Sequence, residues 1–437
     1  MEDGNDTFSK RNALKLAAAG LSYLALGAGI ALAQTKLDFY YPVQVGGPVT
    51  KIIDGYVQKF MAENPDIVVA PIYAGNYNDT TTKALTAAKA GTPPAVAVLL
   101  ATDVFTLIDE DVIEPIDDLV KSDDDKAWVK GFMPAFLKSA QTEGHLWSIP
   151  FQRSTAVMYY NKQAFKDAGL DPEKYPATWE DMVAAGKAVT TKDSSGQVSR
   201  WGVGIAGNIG SAQWLFGALV AENGAKLVND EGTETYLTDP KVVEALQFWV
   251  DLSKKDAIHP PGIFEWGTAP ADFLAGRVAM IWHTTGNLTN IRKNATFDFG
   301  VAPFPGHPTP ASVLGGGNLY IFKDASDEQK AAAFKLVKFL TSDEILADWA
   351  VQTGYVAPRD GSWATDTMKK YVAETPQALV ALKQIPASVP EFSTHENART
   401  TKILNDALAA ALTGSKTPEA AMADAQKEID LILKPYR

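Results

Sequence analysis

From Gln34 to Leu100 the chain switches between two hydrophobic periods, and the switching sets the architecture. Residues 37–41 read as a strand that ends in Pro42-Val43-Gln44-Val45-Gly46-Gly47-Pro48, a run of turn formers. Ile52, Ile53, Tyr56, Val57 and Phe60 then follow helical spacing over 49–64, which stops at Asn64-Pro65. A second strand is expected at 67–73, after which Gly75-Asn76-Tyr77-Asn78 turns into a helix over 80–90. Gly91-Thr92-Pro93-Pro94 breaks that helix, and 95–100 is an apolar run of the kind buried on both faces. This β-α-β-α-β order predicts a parallel sheet covered by helices. Ligands of such sheets sit beyond the carboxyl ends of the strands, which singles out the loops 41–47, 75–78 and 101–103.

The stretch 144–170 organises the rest. It reads as a strand at 145–150, a polar Gln152-Arg153 break, a second strand at 155–160, and a helix from Lys162 that Gly169 stops. A strand that breaks and restarts is expected to cross between two lobes. Beyond it, Thr178 opens a helix ending near Ala188, and 201–205 is a strand. Helices follow at 211–223 and 240–254, a strand at 278–282, a short helix at 287–293 and a strand at 297–302. Residues 313–322, holding Gly315-Gly316-Gly317, begin a return to the first lobe. Helices at 327–341, 342–353, 400–412 and 418–433 close the chain, the last with Thr417 as N-cap and Pro418 in its first turn.

At 437 residues the chain exceeds one ordinary core, so two α/β domains are expected. Apolar residues at 46% and charged ones at 21% suit a soluble globular protein. A net charge of −12 argues against nucleic acid or an anionic membrane as partner. Cysteine is absent, which excludes disulfides, thiolate metal sites, a cysteine nucleophile and a lipid-modified N-terminal cysteine. An exported form would then need an outer membrane to confine it, so a periplasmic location is expected. Ser9-Lys10-Arg11-Asn12-Ala13-Leu14-Lys15 before an Ala/Gly/Leu-rich stretch, with Ala31-Leu32-Ala33 as cleavage site, predicts a twin-arginine-like signal over 1–33. The alternative for that stretch is a single membrane anchor.

Gly202-Val203-Gly204-Ile205-Ala206-Gly207 spells a dinucleotide-binding fingerprint. Its glycines fall in and just after a strand rather than at a helix start, and Glu222 comes too early for the ribose-binding acid. The five histidines are dispersed. Neither a cofactor nor a metal is expected.

Several short runs occur together in order: Phe60-Met61-Ala62-Glu63-Asn64-Pro65, Gly91-Thr92-Pro93-Pro94, Tyr159-Tyr160-Asn161-Lys162 through Ala168-Gly169-Leu170, and Pro176-Ala177-Thr178-Trp179. Phe273, Gly276-Arg277, Ala279-Met280 and Thr353-Gly354-Tyr355 with Pro358 complete the set. Together they resemble the extracellular solute-binding proteins of ABC importers, the family that includes maltose- and glycerol-3-phosphate-binding proteins. The resemblance implies a class II periplasmic binding fold: two α/β lobes, each a mostly parallel sheet flanked by helices, joined by crossing hinge strands. Residues 34–152 plus 313–357 would form one lobe and 153–312 plus 358–437 the other. It also implies a monomer that closes on a ligand, delivers it to membrane permease subunits and catalyses nothing.

Gly75-Asn76-Tyr77, Ser154-Thr155 and Gly354-Tyr355 are most similar to the glycerol-3-phosphate-binding branch. Carried over singly, that branch's contacts fall on Tyr77, Ser154, Trp179, Thr284 (where the branch has Ser), Gly316 and Tyr355. Its acidic contact falls on Ala101, leaving Asp103 as the nearest carboxylate; its phosphate-binding arginine falls near Thr401, beside Arg399. Arg153 is a cation the branch lacks. From the residues themselves, Trp179, Tyr77 and Tyr355 offer faces for a sugar or polyol, with Gln44, Asn76 and Asp103 to pair its hydroxyls and Tyr41 in the first cleft loop. An isolated Trp or Tyr is ordinarily core. An anionic head would call for Arg153, then Arg399, helped by the backbone of Gly315–317. A glycerol phosphate or its diester, an acidic sugar, a neutral polyol and a short oligosaccharide all remain open. A secreted carbohydrate-active hydrolase is the alternative class, but it needs two carboxylates about 5–10 Å apart, and Asp103 has no obvious partner.

Overall fold

The computed structural model describes residues 34–208 and 210–437, so the signal segment expected at 1–33 lies outside it. Strand β1 (Thr35–Tyr41), helix α1 (Val49–Glu63), β2 (Ile67–Tyr73), α2 (Tyr77–Lys89) and β3 (Val96–Leu100) form the expected opening unit. β1 lies between β2 and β3, parallel to both. The apolar stripe of α1, from Ile52 to Phe60, is the face it buries. α2 begins three residues earlier than its apolar spacing predicts. Asn76 accepts from the Asp79 N–H and Asp79 accepts from the Asn76 N–H, a reciprocal cap that draws Tyr77 into the helix.

The largest departure from expectation is β4 (Ile149–Asn161), one unbroken strand of 13 residues, buried throughout. Gln152 and Arg153 do not interrupt it, because side chains on a strand alternate and each of the two finds partners on its own face. Gln152 Oε1 accepts from the Tyr77 hydroxyl at 2.9 Å, and the Arg153 guanidinium donates to Gly316 O, Asn318 Oδ1 and Ser139 Oγ. Helix α3 (Lys162–Asp167) follows, its Asn161 cap accepting from the Ala164 N–H. Farther along come α4 (Trp179–Val189), β5 (Val198–Ile205), α5 (Ala212–Glu222), α6 (Pro240–Lys254), β6 (Val278–Thr284), β7 (Phe299–Ala302) and β8 (Ser312–Ile321). Helices α7 (Asp327–Leu340), α8 (Asp343–Thr353), α9 (Asn397–Thr413) and α10 (Pro418–Leu433) close the chain, with shorter helices between α8 and α9.

The main sheet runs β2-β1-β3-β8-β4-β6-β5, with β7 against β4. β8 is antiparallel to both β3 and β4, β4 is antiparallel to β6, and β5 and β6 are parallel. β4 and β8 therefore stand at the middle of the sheet. One core gathers Phe39, Ile53, Phe60, Leu336 and Trp349; another gathers Met182, Val203, Leu215, Trp249 and Leu408. The second half of β4 feeds both, Val157 and Tyr159 going to the first and Met158 and Tyr160 to the second.

The glycines of the 202–207 run serve close packing. A Cβ on Gly202 would lie 2.4 Å from the Gly186 carbonyl of α4, and one on Gly204 would lie 2.5 Å from the Phe264 ring. No helix among the described residues is long and apolar enough to cross a membrane.

Candidate functional site

β8 and β4 form the floor of a cavity of about 300 Å³. The glycine triplet of β8 makes room for it. A Cβ on Gly315 would stand 2.4 Å from Trp214 Nε1, and one on Gly317 would stand 2.9 Å from the Tyr77 ring. Two rings can thus rest on one strand. Gly316, at φ +102°, holds a backbone that a larger residue would strain. Beside the triplet, strand alternation sends Ser154 into the cavity and its neighbour Arg153 to the other face.

Gln44, Val45, Asn76, Tyr77, Asn78 and Leu100 line the cavity from the opening β-α-β-α-β unit. Asn208, Ser211, Trp214 and Trp266 join them, with Ser154, Thr284, Gly316, Tyr355 and Glu391. Trp214, in the first turn of α5, donates its indole N–H to Leu314 O at 3.2 Å. Its ring meets Trp266 edge-on, with centroids 5.7 Å apart and planes at 72°. Trp266 comes from a loop and is held twice. Its backbone N–H donates to Asn208 Oδ1 at 2.8 Å, and its ring stacks on His283 at 3.7 Å. Tyr355 follows Gly354, whose φ of +104° ends α8 and turns the chain. The Tyr355 ring then stacks on Trp349 at 5.6 Å.

Electrostatically the lining is polar with a single acid and no lysine or arginine among the described residues. Burial pushes Glu391 up to about 8, against the opposing pull of the Arg153 guanidinium, while Asp103 raises it further. Burial also raises Tyr355 to about 12 and drives His283 down to about 3, so the phenol keeps its proton and the imidazole stays neutral.

Of the residues expected from the sequence, Gln44, Tyr77, Ser154, Thr284, Gly316 and Tyr355 are brought together in this lining, as is Asn76. Five others are placed elsewhere. Trp179 lies in the second core, flat between Phe248 and His307, with its indole N–H on Glu222 at 2.6 Å. Arg153 is 1% exposed and fastens β8 from behind, facing a second cavity of about 370 Å³. Asp103 accepts from the Thr81 hydroxyl at 2.7 Å, outside the lining, and burial raises it to about 6. Tyr41 packs into the first core against Phe39 and Tyr73. Arg399 is exposed, paired with Glu396 one helical turn away. Trp214, Trp266, Asn208, Ser211 and Glu391 were missed. Trp214 sits in an apolar helical run that reads as core, while Trp266 and Glu391 sit in stretches without periodicity.

A family profile described as bacterial extracellular solute-binding protein matches residues 55–376. The chain is 29% identical to the sn-glycerol-3-phosphate-binding periplasmic protein UgpB of Pectobacterium atrosepticum, over 99% of this chain and 98% of that one. It is also 29% identical to UgpB of Escherichia coli K12, over 95% and 97%. Among solved structures, UgpB of Mycobacterium tuberculosis in complex with glycerophosphocholine superposes with a TM-score of 0.81 at 24% identity, over 92% of this chain and 99% of that one. T. maritima MalE3 with maltose bound gives 0.79 at 23% identity, over 91% and 100%. These structures share the two-lobed fold.

Proposed function

The chain belongs to the family of bacterial extracellular solute-binding proteins, and on that premise we propose that its cavity holds a polyhydroxylated ligand, a sugar or polyol, rather than a free phosphate. As the solute-binding component of an ABC importer, the protein captures its ligand between the lobes and passes it to the permease. One observation carries the ligand reading: the lining joins four aromatic rings, Tyr77, Trp214, Trp266 and Tyr355, to amide and hydroxyl groups, and no lysine or arginine among the described residues enters it. Rings of this kind cover C–H faces, and the amides and hydroxyls pair the hydroxyl groups that burial would otherwise strand. A dianionic phosphate would find neutral amide, hydroxyl and backbone donors but, among the described residues, no cation, and it would meet an acid.

A second reading has support from the relatives. UgpB of P. atrosepticum is named for glycerol 3-phosphate, and the M. tuberculosis protein holds glycerophosphocholine. On that reading the polyol end of a glycerophosphodiester enters this cavity. Maltose in the T. maritima protein favours the sugar reading. The lobes would divide near 152/153, 312/313 and 357/358, with β4 and β8 as the hinge about which they close. The protein acts as a monomer in the periplasm and releases its ligand unchanged.

A thermal-shift panel of monosaccharides, polyols, short oligosaccharides, glycerol 3-phosphate and glycerophosphocholine tests the choice. A ligand at one hundred times its Kd stabilises the bound form by about 2.7 kcal/mol, a shift of several degrees. The sugar-or-polyol reading predicts that shift with an uncharged member of the panel. A shift with glycerol 3-phosphate and with no uncharged compound refutes it.

A further inference from the structure

Glu391 is the single acid of the cavity lining among the described residues. The Tyr77 hydroxyl is tied to Gln152, the Ser211 hydroxyl to Asn208, and Thr284 to the Gly286 N–H. Among the described residues, the Glu391 carboxyl has neither a hydrogen bond nor an ion pair, although it lines the cavity and is partly buried. The charges that act on it are Arg153 and Asp103, of opposite sign. Arg153, the stronger of the two, shares the second cavity with Glu391, and among the described residues no cation stands beside it in the first. Trp214 and Trp266 line the same cavity, and an indole ring attracts a cation. His283, stacked behind Trp266, is held neutral by burial and adds no repulsion.

We propose that the ligand carries a protonated amine, which donates to the Glu391 carboxylate and lies against the indoles of Trp214 and Trp266. The inference rests on the sugar-or-polyol reading and narrows it to amino sugars and amino polyols. With the cavity empty, the partly buried acid holds its proton. An arriving ammonium replaces that proton as the compensating charge, and the proton leaves to solvent. No other bond forms or breaks.

Calorimetric titration with matched pairs tests this: glucose against glucosamine, galactose against galactosamine, mannose against mannosamine, and glycerol against 3-amino-1,2-propanediol. In any pair that binds, the amine should be tighter by about tenfold or more, the value of one charge-assisted hydrogen bond. Glu391→Gln should abolish the preference for the amine within each binding pair. The wild-type protein supplies a check that needs no variant. Titrated near pH 6.5 in buffers of different ionisation heat, the amine should release about one proton and the neutral partner none. Equal affinity within a binding pair, a preference that survives Glu391→Gln, or no proton release overturns the inference and leaves the sugar-or-polyol reading standing. If no member of any pair binds, this inference falls, while the sugar-or-polyol reading is decided by the thermal-shift panel.

Discussion

Trp179 and Trp214 both occupy the first turn of a helix, and both are nearly buried, 3% and 7% exposed. One is core and the other lines the cavity. Trp179 has both faces covered, by Phe248 at 4.0 Å and His307 at 4.4 Å, and its N–H is taken by a buried carboxyl. Trp214 has its N–H on a strand carbonyl, one edge against Trp266, and a remaining surface toward the cavity. Burial does not separate the two. What separates them is whether neighbours have claimed both faces of the ring.

The sharpest way to break this comparison is to truncate each ring. Trp179→Ala should cost about 3–5 kcal/mol of stability, as removal of a large core ring does, with unchanged ligand affinity in the protein that remains folded. Trp214→Ala should instead weaken ligand binding by about 2 kcal/mol, a typical loss for a central tryptophan in a binding site. Urea melts and titrations of the two variants together decide it. Reversed outcomes would exchange their roles.

Acid should act on the cavity wall next. His283 is neutral when folded, pushed down to about 3, so the unfolded chain binds more protons below the ordinary value of 6.5. Stability is then intact above that value and falls as pH drops through it, by about 1.4 kcal/mol per unit for this residue. Buried His259 is shifted the same way and adds to the slope. Urea midpoints measured downward from neutral pH give the slope, and His283→Asn should flatten it.

On the core side, Glu222 is raised well above the ordinary carboxyl value by burial, so its folded form is held protonated. Its stabilising share is present below the unfolded value of 4.5 and is lost as pH rises toward the folded one. Glu222→Gln keeps an acceptor for the Trp179 indole without that loss. The variant should gain about 1 kcal/mol over the wild type one unit above the unfolded value, and more at higher pH. Smallest of all is Arg399→Ala, expected to stay within about 0.5 kcal/mol and to leave ligand affinity unaltered, because the side chain is exposed.

Periodic segments were legible in the sequence for a plain reason: their apolar spacing is the face they bury. The stripe of α1 and the end signals of α10 (Thr417 accepting from the Ala420 N–H, Pro418 in the first turn) needed nothing from elsewhere in the chain. β4 was misread because the partners that let Gln152 and Arg153 sit inside a strand come from Tyr77, Ser139 and β8, distant in sequence. The cavity was half legible for the same reason. Tyr77, Ser154, Gly316 and Tyr355 lie within distinctive runs, so their order along the chain betrayed them. Trp266 and Glu391 lie in loops whose positions depend on contacts such as Asn208 with the Trp266 backbone. Nor did the sequence disclose that Arg153 turns away from this cavity, since Arg153 and Ser154 are neighbours in the chain and point to opposite sides of it.

The hydrogen bond from the Trp214 indole to Leu314 O ties a ring of α5 to strand β8. An indole's emission colour follows the dipoles around its N–H. A movement that lengthens that contact should therefore shift the Trp214 share of the emission from the chain's ten tryptophans, an intrinsic signal that needs no dye.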